Sequence, residues 1–156
     1  MQAISVDLWF DDNAEEAVSF YTSIFNDSKV SSVTRYGKNM PGPEGSVMYI
    51  EFELEGQRFG AVNGGPHFTF NPAISLVVCR DTQEGIDELW GKLSAVPEAE
   101  QCGWLRDKFG LSWQIVPSRM GEFLQDKDPD SADRAMQAML GMKKIDIEAL
   151  EKATAG

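Results

Sequence analysis

The sequence predicts an α+β fold: paired strand-helix-three-strand modules forming a cup-shaped mixed β-sheet, with helices at the C-terminal end. Three observations carry this expectation. Apolar residues alternate with period two in several short segments, two segments of helical period each follow such a strand, and the second half of the chain repeats the order of the first. The 156 residues, 42% of them apolar, suffice for one continuous core. A single domain is expected over residues 1–156, with modules at about 1–66 and 67–118 and a helical tail at about 119–156.

The first strand spans residues 4–10, where Val6, Leu8 and Phe10 alternate with Ser5, Asp7 and Trp9. The helix that follows carries Ala14, Ala17, Val18, Phe20, Tyr21, Ile24 and Phe25 at three- and four-residue spacing. Asn13 is placed to cap it, and Glu15 and Glu16 complement its first turn. Strands are predicted over 29–36, 47–54 and 58–63, divided by a Gly/Pro-rich loop over 37–45 and the turn Glu55-Gly56. After Gly64-Gly65-Pro66 the order restarts with a strand over 73–79, a helix over 82–93, and short strands near 95–101, 104–107 and 111–116. Sliding the chain by 69 residues superposes Asp12 on Asp81, Ala17 on Ile86, Tyr21 on Trp90 and Ile24 on Leu93, as a duplication requires. In the tail, Ser131 is placed to cap a helix whose stripe is Ala132, Ala135, Met136, Met139 and Leu140, and Gly141 ends it. A last amphipathic stretch carries Ile145, Ile147, Leu150 and Ala153, with Glu148 four residues before Lys152. The methionine stripe reads as packing on the domain or across a homodimer, since Met is a common gap-filler.

Strand parity separates two faces. Val6, Leu8, Phe10, Met48, Ile50, Phe52, Phe59, Ala61, Ile74, Leu76, Val78, Leu111, Trp113 and Ile115 point to the helices. The opposite row holds Ser5, Asp7, Trp9, Tyr49, Glu51, Arg58, Gly60, Ala73, Ser75, Ser112 and Gln114. This mixed row suits the wall of a cup that holds a small organic ligand, and a merely solvated sheet face has the same composition. The ligand-binding candidates are Asp7, Trp9, Glu51, Arg58, Asn63, Ser75, Trp104 and Gln114. Trp9 and Trp104 offer planar stacking surfaces, while Trp113 has core parity. An acid paired with Arg58 is an equal reading to a substrate contact, and Asn63 before Gly64-Gly65 suits a turn as well as a ligand's polar edge.

Charge and residue counts exclude several functions. A formal charge of −11 repels a polyphosphate, which argues against nucleic acid or an anionic membrane as partner. No basic segment precedes a long apolar stretch, and no apolar run approaches the roughly 18 residues of a membrane span, so a soluble cytoplasmic protein is expected. Two cysteines, Cys79 and Cys102, give no disulfide framework, and Cys102 reads as structural. The single histidine, His67, leaves no Cys/His cluster of zinc spacing and reads as a connector residue. There is no G-x-G-x-x-G, and the loop over 37–45 lacks the closing Gly-Lys-Ser/Thr of a phosphate loop; it reads as an edge or lid of the cup.

The segments LWFDDNAEEAVSFYTSIF, VTRYG, PGPEGSVMYIEFELEG, FGAVNGGPHFTF, QCGWLRDKFGLSWQIVP and MLGMKKIDIEAL together resemble the PhnB-like branch of the glyoxalase/bleomycin-resistance (vicinal-oxygen-chelate) superfamily, often labelled 3-demethylubiquinone-9 3-methyltransferase-like. The resemblance implies paired modules, a central cup and a homodimer. In metal-using members, four His, Glu or Gln ligands come from the first and fourth strands of each half. Those positions fall here at Ser5 or Val6, Gly60, Pro72 or Ala73, and Gln114, of which only Gln114 is of ligand type. A single neutral amide does not hold a zinc-like ion against water, so no metal and no other cofactor is expected. The expected function is metal-independent binding of a small organic molecule. The alternatives are a divalent-metal lyase, isomerase or dioxygenase using Asp7, Glu51 and Gln114, and a protein-interaction module using the C-terminal helices.

Overall fold

A computed structural model describes residues 3–156, which divide into two compact units, 1–70 and 71–156. Unit 1 contains β1 (Val6–Phe10), α1 (Ala14–Ile24), β2 (Ser28–Arg35), β3 (Val47–Leu54) and β4 (Gln57–Asn63). Its sheet runs β1-β4-β3-β2, with β1 parallel to β4 and the other pairs antiparallel. The parallel pair needs a crossover, which the α1 arm supplies, whereas the antiparallel neighbours are joined by hairpins. α1 packs on β3, β4 and β2. Leu8, Phe10, Ile50, Phe52, Phe59 and Ala61 meet its buried Ala14, Ala17, Val18 and Tyr21 as the core of the unit.

Unit 2 contains β5 (Ser75–Arg80), α2 (Gln83–Leu93), a short 3-10 turn (Pro97–Ala99), β6 (Trp104–Arg106), β7 (Ser112–Pro117), α3 (Met120–Leu124), α4 (Pro129–Leu140) and α5 (Ile147–Ala155). Its sheet runs β5-β7-β6, with β5 parallel and β6 antiparallel to β7. This is the unit 1 topology with one edge strand fewer. The strand predicted over 95–101 does not form: Ala95 N donates to the Arg106 carbonyl at 3.0 Å, and an isolated bridge joins Gln101 to Trp104 across a turn whose Cys102 and Gly103 both have positive φ. Pro97 accounts for part of the difference, because it has no N–H to give to a ladder and its fixed φ suits the first position of a helical turn.

The duplication is visible in the helices: α1 starts at Ala14 and α2 at Gln83, and they end at Ile24 and Leu93, the predicted offset of 69 at both ends. The strand faces correspond one residue differently. Leu8 and Phe10 face the core of unit 1, and their counterparts in β5 are the half-buried Leu76 and the buried Val78. Ile74, predicted to face the helices, lies ahead of β5 and is 70% exposed, since no strand pairing fixes its orientation there.

Two predicted caps are replaced. Asn13 makes no side-chain cap, and the Ala14 N–H is met by Asn63 Oδ1 from β4. The helix predicted from Ser131 starts earlier: Asp128 accepts from Asp130 N at 3.1 Å, Pro129 fills the first turn, and the Ser131 hydroxyl donates to Asp126 Oδ2 and the Thr154 carbonyl. Thr82 does cap α2, accepting from Gly85 N at 3.1 Å. The tail folds on itself around buried Phe123, Ala135, Ile145 and Leu150, with Met120, Met139 and Met142 packed against them. The predicted stripe of α4 is therefore split: Ala135 is buried, while Met136 and Leu140 are exposed. Glu148 and Lys152 form the expected pair at 2.7 Å.

Candidate functional site

Residues alternating with the buried ones in β1, β3 and β4 present Asp7, Tyr49, Glu51, Arg58 and Gly60 on the sheet face of unit 1 opposite α1. Register brings them together: Asp7 lies across from Gly60, Gly60 from Glu51, and Arg58 from Glu53. The Tyr49 hydroxyl donates to Asp7 Oδ1 at 3.0 Å. Arg58 forms a charge-assisted bond to Glu51 Oε1, and the Ser32 hydroxyl donates to Glu51 Oε2 at 3.1 Å. The ion pair thus answers one of the two readings left open for Arg58.

Burial and two neighbouring carboxylates together set the acidity of the phenol. Tyr49 is held above the ordinary tyrosine value, first by partial burial, then by its bond to Asp7 and by the charges of Asp7 and Glu51, with Arg58 opposing. Arg58 and Ser32, both bonded to Glu51, hold its carboxyl below the ordinary value. The raised phenol binds its proton more tightly folded than unfolded. Its contribution to stability is therefore present below the ordinary phenol range and is lost as pH rises through the raised value. Ultraviolet titration of the parent minus Tyr49→Phe should show a phenol ionising above about pH 10, and Asp7→Asn should bring it down. A Tyr49 that titrates at the ordinary value would contradict this geometry.

Trp9 and Asn63 take other places. The Trp9 ring lies flush on the backbone of Gly64, where an added Cβ would come within 2.1 Å of the indole, and its Nε1 donates to the Gly65 carbonyl at 3.0 Å. Phe68 meets the ring edge-on at 5.0 Å. Asn63 is buried, with Oδ1 accepting from Ala14 N at 2.9 Å and Nδ2 donating to Glu15 Oε1 at 2.6 Å and to the Val47 carbonyl at 3.0 Å.

In unit 2 the face opposite the buried Leu105, Trp113 and Ile115 carries Ser75, Val77, Trp104 and Gln114. Gln114 is the register partner of both Val77 and Trp104, and its Nε2 donates to Ser75 Oγ at 2.9 Å. With its nitrogen bonded to Ser75, the amide keeps Oε1 as an acceptor, on the strand position paired with Trp104 and the exposed Val77.

The residues present do not fit the divalent ion that the resemblance allows. At Gly60, an added Cβ would lie 2.1 Å from Tyr49 Oη and 2.3 Å from Asp7 Oδ1, so the space of a fourth-strand ligand is filled by a phenol already bonded to a carboxylate. Glu51 is committed to Arg58, and Gln114 offers only one neutral amide oxygen, too weak a donor to hold a divalent ion by itself. Among the described residues, no three His, Cys, Asp or Glu side chains lie where they can hold one ion. Tyr49 is the functional candidate missed by sequence reasoning: parity placed it on this face, but only register showed its hydroxyl over Gly60.

Residues 2–116 match the family model described as 3-demethylubiquinone-9 3-methyltransferase. Among solved structures, the chain is 40% identical to a PhnB protein of 3-demethylubiquinone-9 3-methyltransferase type from Bacillus cereus. That match covers 75% of this chain and 100% of the other, with a TM-score of 0.64. Protein PA1353 from Pseudomonas aeruginosa is 18% identical over 75% of this chain and 98% of its own, with a TM-score of 0.59. The fosfomycin resistance protein FosX from Listeria monocytogenes is 11% identical over 78% and 97%, with a TM-score of 0.51. The last two show likeness of fold alone. No curated protein matches the chain. On the family match and the Bacillus cereus relative, the chain belongs to the 3-demethylubiquinone-9 3-methyltransferase-like (PhnB) family.

Proposed function

We propose that this protein binds a small organic molecule without a metal ion, acting as a homodimeric, cytoplasmic member of its family built as a single domain. The observation that carries the reading is the Ser75–Gln114 pair beside Trp104 and Val77. Trp104 and Val77 occupy the positions paired with Gln114 on either neighbouring strand, its amide is bonded to Ser75, and this combination suits a planar or partly apolar molecule with a polar edge. The polar face around Asp7, Tyr49, Glu51 and Arg58 supplies further hydrogen-bonding groups, and the filled space at Gly60 supports metal independence. The homodimer is supported by apolar side chains left open to solvent, with Ile74 70% and Leu140 49% exposed. No helix among the described residues is long and apolar enough to cross a membrane.

Equilibrium dialysis against a cell metabolite extract containing a chelator, read by mass spectrometry, tests the reading. The parent protein is expected to concentrate at least one compound. Gln114→Ala should weaken its retention by about tenfold, the order of one lost hydrogen bond to a ligand, and Trp104→Ala should weaken it at least as much. Equal retention by both variants, or retention only after a divalent ion is added, would sink the proposal.

A further inference from the structure

A second, separate feature lies beside the start of α1. A cavity of about 400 Å³ within unit 1 is lined by Asp11, Asp12, Glu15, Tyr36, Pro41 and Pro43, with Asn63 and His67 also on its wall. It shares none of Asp7, Tyr49, Glu51 or Arg58 with the sheet face described above. Its outer wall is built by the β2–β3 hairpin. Tyr36 N donates to the Ser46 carbonyl at 2.9 Å, Gly45 N donates to the Tyr36 carbonyl at 2.8 Å, and the Tyr36 hydroxyl donates to the Asn63 carbonyl. Gly42 lies flush on the Tyr36 ring, where a Cβ would come within 2.3 Å, so only glycine lets the hairpin close at this width.

The chemistry of the wall selects a ligand class. Three carboxylates line the cavity and no Lys or Arg does, against a net charge of −11 for the chain. The start of α1 contributes the equivalent of roughly half a positive charge, which offsets a fraction of that. The Ala14 N–H at that end is already bonded to Asn63. Among the described residues no three His, Cys, Asp or Glu side chains are grouped so as to hold one metal ion, which turns attention to a cation that does not need close coordination. An organic cation, with carbon to set against two prolines and an aromatic ring, satisfies both the charge and the apolar part of the wall.

We propose that this cavity binds an alkylammonium ion, its charged head among Asp11, Asp12 and Glu15 and its carbon stem against Pro41, Pro43 and Tyr36. The test is a backbone amide NMR titration of the full chain with n-butylammonium chloride, compared with potassium chloride and magnesium chloride at matched ionic strength. Saturable shifts confined to n-butylammonium are expected at Gly42, Gly64 and Gly65. The Asp11→Asn, Asp12→Asn double variant should raise the apparent dissociation constant about tenfold, the order for two exposed charges close to a cation in water. Glu15→Gln should raise it less, and Glu148→Gln in the tail should leave it unchanged. Shifts that do not saturate, that appear equally with the inorganic salts, or that persist undiminished in the double variant overturn the proposal. None of these outcomes bears on retention of a compound through Gln114 and Trp104, so the two readings fail separately.

Discussion

Asp107→Ala is expected to lower the stability of the protein by about 3–5 kcal/mol, read as a shift of the urea midpoint at unchanged slope. Asp107 is 1% exposed and gathers three donors at once. Its Oδ1 accepts from Phe109 N at 2.8 Å and Leu111 N at 3.0 Å, and its Oδ2 accepts from Trp113 Nε1 at 2.9 Å. Alanine leaves those donors inside without an acceptor, and each buried orphan costs about 1–3 kcal/mol. The carboxylate closes the turn between β6 and β7 and fixes the Trp113 indole that fills the core of unit 2. Asp107→Asn keeps the shape but turns an amide donor toward one of the donors, so an intermediate loss is expected. A midpoint unchanged in Asp107→Ala would contradict the bonding described.

The second large effect is expected at Asn63, where alanine should cost about 2–4 kcal/mol and speed amide exchange at Ala14, Glu15 and Glu16. The Asn63 amide does for α1 what Asn13 does not, and it also ties β4 to the Val47 carbonyl at the start of β3. Asn63→Asp keeps the acceptor for Ala14 N but loses both donors and faces Glu15 with a second carboxylate, so it should recover little. Normal stability in Asn63→Ala with lost ligand binding would assign Asn63 to a ligand instead.

These two residues show where sequence reading stops. The helix bounds, the 69-residue offset and the two faces of β1, β3 and β4 follow from periodicity, because apolar spacing is a local property that the fold then uses. The cap of α1 is not local: its partner is 49 residues further along the chain, and no spacing rule announces it. Asp107 is silent for a different reason: its donors Phe109, Leu111 and Trp113 are close in sequence, but the residue reads only as the end of a short strand, and nothing in its spacing announces that its carboxylate turns inward. Pro97 carried a local signal against the strand expected over 95–101. Among the site candidates, parity placed Asp7, Glu51, Arg58, Ser75 and Gln114 on their faces. Only register and side-chain geometry showed that Glu51 pairs with Arg58, that Gln114 turns to Ser75, and that the space at Gly60 is filled by Tyr49.

Native mass spectrometry of the gently purified protein tests metal-independent ligand binding most directly, because one spectrum reports subunit count, bound metal and any retained compound. The expected spectrum is a dimer without a stoichiometric divalent ion, carrying an organic adduct that is absent from Gln114→Ala. A divalent ion held at one per chain, surviving chelation and required for the adduct, would contradict the account and direct attention to chelate chemistry.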